Sequence, residues 1–191
     1  MITPAGYTTG AAPGDSIARG LVCVLLLGLL TACTGVPEGI EPVTEFELQR
    51  YLGKWYEIAR LDHSFERDLT QVTAEYVPRE GGGVTVINRG LDADGEWQEA
   101  RGKAFFVGDE NTGHLKVSFF GPFYGSYVVF DLDKLDYSHA FVSGPDRDYL
   151  WVLARSPQVS ESLQEAFRRS AETLGFDTTE LIFVDQGGAS E

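Results

Sequence analysis

Residues 97–120 read WQEARGKAFFVGDENTGHLKVSFF, and this segment decides the fold. Apolar and polar side chains alternate on either side of a polar turn at residues 111–113. Because successive side chains of a strand point to opposite faces of a sheet, the pattern predicts two antiparallel strands with one dry face. The predicted dry face carries Ala100, Gly102, Ala104, Phe106, Leu115, Val117 and Phe119.

Similar runs lie on both sides of this pair, separated by clusters of Gly, Asp, Asn and Pro at nearly regular spacing. They predict strands at residues 54–61, 70–78, 84–91, 97–107, 114–120, 124–132, 137–143 and 148–155. Short turns between neighbours, such as the glycines at 81–83, predict hairpin connections. This organisation is typical of an all-β sandwich or an up-and-down barrel.

The size of the side chains on the dry face indicates whether such a barrel is hollow. A barrel of about eight strands can be filled by its own side chains or can hold one small ligand. The small residues Ala100, Gly102 and Ala104 favour a cavity, although large residues from other strands could fill the space. Alternation predicts that Tyr76, Phe106 and Phe119 face this interior.

A helix is predicted after the last of these strands. Ser160 is a suitable N-cap, and Leu163, Phe167, Ala171 and Leu174 form one apolar stripe that ends before Gly175. Because the strands at 124–132 and 148–155 are apolar on both faces, we expect the helix to cover them from outside. Residues 181–184 predict a short final edge strand.

The N-terminus carries export and anchoring signals. Arg19, the apolar run at 21–30 and two small residues predict a signal peptide over residues 1–32, since the run is too short to span a bilayer. Residues 30–33, LTAC, resemble the bacterial lipobox, which implies acylation of Cys33 and a stable membrane anchor. The alternative is an ordinary thiol at Cys33. Residues 33–43, rich in Gly and Pro, predict a flexible lipidated tether.

Length, composition and charge limit the possible domain organisation and partners. With 191 residues, 43% of them hydrophobic, the chain predicts a single globular domain over residues 44–186 and a short tail at 187–191. The formal charge of −14 repels phosphate backbones and argues against a nucleic-acid partner. A homodimer stays an open alternative.

Three motifs in order resemble those of the lipocalin family. They are GKWYE at 53–57, with Gly53 and Trp55; GPDRDY at 144–149, with Asp148 and Tyr149; and Arg155 at the end of the last barrel strand. With the lipobox, the chain resembles the bacterial outer-membrane lipocalins, which are related to apolipoprotein D. The resemblance covers about residues 44–186. It implies an eight-stranded antiparallel up-and-down β-barrel with a C-terminal α-helix packed outside.

The resemblance also implies roles for individual residues and for the protein. Arg155 would pack over Trp55 and close the base of the barrel, and Trp151, on the same face as Arg155, would join the ligand-binding wall. The implied function is the binding, storage or transport of a fatty acid or lysophospholipid. The implied location is the periplasmic face of the outer membrane.

No enzyme motif is found in the sequence. There is no Gly-x-Ser-x-Gly elbow, His63, His114 and His139 are scattered, and no metal-site pattern is present, so we expect no catalytic residue, metal or cofactor. Glu57 lies two residues after Trp55, so alternation places both side chains on the same face. Glu57 is therefore either a buried carboxyl group with a raised pKa or a paired, rim-facing acid. An enzyme acting on a lipid or other small apolar substrate, and a non-binding structural lipoprotein of the envelope, remain the alternatives.

Overall fold

The structure, a computed structural model, describes residues 34–187. The strands are β1 (Gly53–Leu61), β2 (Thr70–Pro78), β3 (Val84–Leu91), β4 (Trp97–Phe106), β5 (His114–Ser118), β6 (Gly125–Leu132), β7 (His139–Ser143), β8 (Leu150–Ala154) and β9 (Leu181–Phe183). The helices are α1 (Leu48–Tyr51), α2 (Glu161–Thr173) and a 3-10 turn at Thr178–Glu180. The predicted signal peptide and Cys33 lie outside the described residues.

The strands form one closed antiparallel barrel. They are hydrogen-bonded in the order β2-β3-β4-β5-β6-β7-β8-β1-β9, and β1 also pairs with β2, which closes the ring with Trp55 opposite Ala74. The strand β9 pairs with the C-terminal end of β1. The eight-stranded antiparallel barrel that the lipocalin resemblance implies is therefore confirmed, and it is one of the two all-β arrangements that the alternating pattern left open; the extra strand lies at its edge.

Antiparallel order gives the barrel two distinct ends. Because β1 runs from the base towards the mouth and each neighbour reverses, the loops at 62–69, 92–96, 119–124 and 144–149 share the mouth. At the base, the Arg155 guanidinium lies 3.9 Å from the centre of a Trp55 ring and donates hydrogen bonds to the carbonyls of Arg50, Leu52 and Lys54. This places Arg155 where the motif resemblance put it.

Glycine is required where the base begins. Gly53 has φ +89°, in the left-handed region that side chains with a Cβ adopt with strain. This conformation turns the chain from α1 into β1, after which Trp55 points inward and donates from its indole nitrogen to the Tyr51 carbonyl at 2.7 Å. Gly53 and Trp55 of the first motif therefore connect the base of the barrel to its first strand.

The helix α2 packs on the outside of the barrel, as predicted. Ser160 caps it by accepting a hydrogen bond from the Leu163 backbone N–H at 3.3 Å. Phe167 and Ala171 are fully buried, and the Phe167 ring meets Phe141 of β7 edge-on at 5.0 Å. Covering this wall explains why the later strands are apolar on both faces.

The segment before α1 is packed where the sequence predicts a flexible tether. Ile40 is buried in the outer cluster beneath α2, Phe46 is buried at the base of the barrel, and Val43 exchanges backbone hydrogen bonds with Val129 and Gly113 at 2.8 Å. These apolar side chains bind the segment to the barrel in spite of its glycines and prolines. The described residues contain two hydrophobic clusters, one inside the barrel and one between the barrel and α2.

No helix within residues 34–187 is both long and apolar enough to cross a membrane.

Candidate ligand cavity

The barrel encloses a cavity of about 460 Å³ that opens between the mouth loops. This volume lies in the range of small-molecule sites. Most of its wall is apolar, and the aliphatic part consists of Leu48, Ala74, Val84, Val86, Ala104, Leu115, Val117 and Leu153. The cavity is therefore suited to a lipid or another small hydrophobic ligand.

Small side chains make part of this space, but not all those that were expected to. Ala104 lines the cavity, whereas a Cβ at Gly102 would lie 3.0 Å from the Phe119 ring, which occupies that space. Ala100 is exposed. Its placement on the wall was wrong because β5 pairs with β4 only from Lys103 onward, which leaves the start of β4 beyond the closed barrel.

The structure brings three of the four predicted wall residues together. Tyr76, Phe119 and Trp151 all line the cavity. Phe106 points to the same side but lies deeper, where its ring packs edge-on against Phe46 at 6.1 Å, below the cavity floor. Phe46 comes from the segment before α1, and this cap at the base is not visible in strand alternation.

Three tyrosines form a hydroxyl cluster within the cavity. The Tyr127 hydroxyl lies 2.7 Å from the Tyr51 hydroxyl and 2.6 Å from the Tyr76 hydroxyl. Burial raises the pKa of all three, so they stay neutral at physiological pH. Three hydroxyl protons serve two hydrogen bonds, so at most one O–H remains for a ligand.

Opposing charges are concentrated on one side of the cavity. Glu57, Glu66 and Asn88 line it, and we call these three residues the acidic wall. Arg60, fully buried behind it, donates from Nη1 to Glu57 Oε1 at 2.7 Å and from Nη2 to the Glu66 carbonyl at 2.8 Å. Glu57 is thus buried and paired, which combines the two interpretations that its parity left open.

Glu66 comes from a mouth loop that folds inward. Trp151 donates its indole N–H to Glu66 Oε2 at 3.1 Å, and Asn88 Nδ2 reaches Glu66 Oε1 at 3.5 Å. His63 Nε2 also lies 3.1 Å from Glu66 Oε2, but its ring is not oriented to complete a hydrogen bond. The amide oxygen of Asn88 has no partner among the described residues.

The two carboxyl groups differ in their protonation. Burial, and then the neighbouring Glu66 charge, raise the pKa of Glu57 well above its usual range. Burial also acts on Glu66, but His63, Trp151 and Arg60 together outweigh it and lower the pKa of that carboxyl group. Because the pKa of Glu57 is raised and that of Glu66 is lowered, the two carboxyl groups together hold one proton.

Aromatic side chains surround the mouth. Phe120 and Phe123 line the opening and are 79% and 76% exposed. Phe65 also lines it and stacks on the buried His63 ring at 4.0 Å, while Tyr149 stacks near Trp151 at 6.1 Å. This apolar rim continues the inner wall outward.

The remaining motif and loop residues lie away from the cavity. Asp148 is exposed in the mouth loop that carries Tyr149, and Arg67 pairs with Asp62 on the surface at 2.6 Å. His114 does not line the cavity, and its Nε2 lies 2.9 Å from the Ser126 hydroxyl oxygen. Within residues 34–187, no group of three or more His, Cys, Asp or Glu side chains is placed to hold a metal ion.

Sequence reasoning missed several polar side chains in and behind the cavity wall. Tyr51 precedes the first strand, and Tyr127 sits in a run that is apolar on both faces, so alternation did not place either one. Glu66 belongs to a loop that folds into the barrel, and Arg60, on β1, is hydrogen-bonded to the backbone of that loop. In a regular strand, residues three positions apart point to opposite faces, so the spacing of Glu57 and Arg60 does not by itself predict a pair. The bulge of β1 after Glu57 changes this alternation and lets the two side chains meet.

Comparison with known proteins agrees with this architecture. A family model described as a lipocalin-like domain matches residues 46–186. Outer membrane lipoprotein Blc of Vibrio cholerae is 57% identical over 88% of this chain and 99% of that protein. Apolipoprotein D of Macaca fascicularis is 28% identical over 90% of this chain and 98% of that protein.

Solved structures give the same fold. Insecticyanin from the tobacco hornworm Manduca sexta superposes with a TM-score of 0.61 at 22% identity, covering 79% of this chain and 86% of that one. The closed antiparallel barrel, the external helix and the ordered motifs at its base and mouth agree with the family match over most of the described residues. The chain belongs to the lipocalin family.

Proposed function

We propose that this protein binds and carries a single-chain lipid, a fatty acid or a lysophospholipid, inside its barrel. The observation that carries the proposal is the apolar cavity of about 460 Å³ that opens between the mouth loops. Each methylene group moved from water into such a site contributes about 0.8 kcal/mol. A hydrocarbon chain supplies many such groups in a shape that fits a narrow barrel.

The proposed place of action is the periplasmic face of the outer membrane. The lipobox-like LTAC at residues 30–33 supports acylation of Cys33, and the Vibrio cholerae relative bears the name of an outer membrane lipoprotein. Dual acylation would hold the protein at a bilayer, which is also a source of its ligand. Catalysis plays no part in the proposal.

Tryptophan fluorescence offers a direct test. Trp151 lies in the cavity wall, whereas Trp55 is sealed at the base and Trp97 is exposed on the outer surface. Titration of the mature chain, with Cys33→Ser to prevent acylation, should change the emission saturably with lysophospholipid or fatty acid. Trp151→Phe should remove most of that change while binding persists in a dye-displacement assay.

Chain length and chemical fate separate the alternatives. Affinity should rise by about tenfold or more for each two carbons added, until the cavity is full. Mass spectrometry should recover the lipid unchanged; conversion to product would instead favour an enzyme. Absence of saturable binding for every chain length would favour a structural role and refute the proposal.

A further inference from the structure

The acidic wall offers more hydrogen-bond acceptors than donors. The Trp151 N–H and one of the two N–H groups of the Asn88 amide are already bonded to Glu66. The Asn88 amide oxygen is buried and without a partner. Arg60 Nε has no partner among the residues that the structure describes, but Arg60 does not line the cavity. The excess of acceptors therefore favours a ligand head group that donates hydrogen bonds.

Charge balance narrows the chemistry of that head group. Arg60, behind the wall, carries one positive charge, and the two carboxyl groups together carry one negative charge because the pair holds one proton, so the charges of these three side chains cancel in the absence of a ligand. A carboxylate entering here would add an unpaired negative charge in a site of low dielectric constant, which is strongly unfavourable. An ammonium group that enters as the proton of the carboxyl pair leaves keeps the summed charge of these three side chains and the head group at zero.

We propose that Glu57, Glu66 and Asn88 form a head-group subsite for a primary ammonium, so that the cavity prefers a single-chain amphiphile bearing an amine to the matching fatty acid. This inference rests on the proposed function, because it assigns a head group to the lipid that the barrel holds. The ammonium donates to the two carboxylates and to the free Asn88 oxygen. Its alkyl chain lies along the aliphatic wall of the cavity.

The exchange balances without another reactant. One proton leaves the carboxyl pair for solvent as one ammonium enters, and no covalent bond between heavy atoms forms or breaks. The charged and titratable groups that face the pair are Arg60 on β1, His63 from the mouth loop and Tyr76 on β2. Of these, Arg60 is fixed by hydrogen bonds, and the raised pKa keeps the Tyr76 hydroxyl neutral.

The test compares three probes that differ only in their head groups. Dodecylamine, dodecanol and dodecanoate are used to displace the uncharged dye N-phenyl-1-naphthylamine from the mature Cys33→Ser chain. We expect the amine to bind about tenfold or more tightly than the acid, with the alcohol between them. The affinity for the amine should rise with pH and that for the acid should fall, because the first releases a proton and the second takes one up.

Matched variants assign the effect to the wall. Glu57→Gln removes the exchangeable proton, so it should abolish the pH dependence and most of the preference for the amine. Glu75→Gln makes the same chemical change on the outer face of β2, where Glu75 pairs with Arg89 at 3.1 Å, and should leave both unchanged. The comparison of probes on the unaltered wall does not depend on how either variant folds.

The outcomes separate this inference from the proposed function. Equal or tighter binding of dodecanoate, or an amine affinity independent of pH, overturns the ammonium subsite and leaves the lipid carrier standing. If none of the three probes displaces the dye, the carrier itself fails and the subsite fails with it.

Discussion

Two chemically identical substitutions in the acidic wall should differ in their effects on stability. Glu57 carries the shared proton, so Glu57→Gln replaces a neutral carboxyl group with a neutral amide of nearly the same shape. The amide oxygen can still accept from Arg60 Nη1, which lies 2.7 Å from Glu57 Oε1. Glu66 is ionised, and Glu66→Gln removes the charge that receives the Trp151 N–H and balances Arg60.

The magnitudes follow from these contacts. Glu57→Gln should change the free energy of unfolding by less than about 1 kcal/mol near neutral pH, because no hydrogen bond from Arg60 is lost. Glu66→Gln should cost about 1 to 3 kcal/mol, since a charge-assisted hydrogen bond is about twice as strong as a neutral one. The loss is limited because Glu57 can then ionise and take over as the counter-charge of Arg60.

The pH dependence has a definite sign. The folded protein holds the Glu57 proton above the pH at which the unfolded chain releases it, so the folded state binds more protons in that interval. The contribution of Glu57 to the stability of the fold is therefore complete below the pKa of Glu57 in the unfolded chain. It decreases, by up to about 1.4 kcal/mol per pH unit, as pH rises from there through the pKa of Glu57 in the folded chain. Glu57→Gln lacks this loss, so it gains stability relative to the parent chain as pH rises.

Urea unfolding followed by tryptophan fluorescence, at intervals from about pH 5 to about pH 8, measures both effects. Subtracting the parent curve from the Glu57→Gln curve cancels the titrating groups that lie away from Glu57 and leaves the titration of the Glu57–Glu66 pair. If Glu57→Gln costs about 3 kcal/mol at neutral pH, and the difference does not shrink as pH rises, then Glu57 is ionised in the folded state and the shared proton is wrong.

Three further predictions concern the cavity, the base and the mouth. Ala104→Leu should fill part of the cavity and weaken lipid binding by about tenfold or more, measured by dye displacement, while Ala100→Leu on the exposed start of β4 should leave binding unchanged. Arg155→Ala should lower the free energy of unfolding by about 2 kcal/mol, because contacts with a Trp ring and three carbonyl oxygens are lost; an unaltered urea midpoint would contradict this. Substituting Phe120 and Phe123 together by Ser should leave stability within about 0.5 kcal/mol, since both rings are exposed, but should weaken the binding of an apolar probe; a large loss of thermal stability would show that the rim is structural.

Most of the fold could be predicted from the sequence because alternation and turn chemistry are local. The turn at 111–113 and the period of two in β4 and β5 determine which side chains face inward, and the observed strands begin and end within about two residues of those predicted. Alternation gives the face of a residue but not its depth. Phe106 therefore faced the correct side, yet it lies below the floor because Phe46 enters from a distant segment.

The polar part of the site depends on contacts that no local pattern contains. Glu66 reaches Trp151, 85 positions along the chain, only because the loop at 62–69 folds back into the mouth. Tyr51 and Tyr127 meet across 76 positions. In the tether, glycine and proline favoured flexibility, but a few buried apolar side chains such as Ile40 outweighed that tendency.

The cost of burying the acidic wall argues that its role is recognition of a ligand. A buried ion pair seldom stabilises a protein more than well-packed apolar side chains of the same volume, because desolvation offsets the attraction between the charges. The rest of this barrel shows such packing, for example around Val84, Val129 and Val142, which are at most 1% exposed. Stability alone would therefore be served equally well by aliphatic residues at Glu57, Arg60 and Glu66. Their placement against an apolar cavity, with one proton to release and one free acceptor at Asn88, instead gives the site a means of distinguishing ligands that have the same hydrocarbon chain.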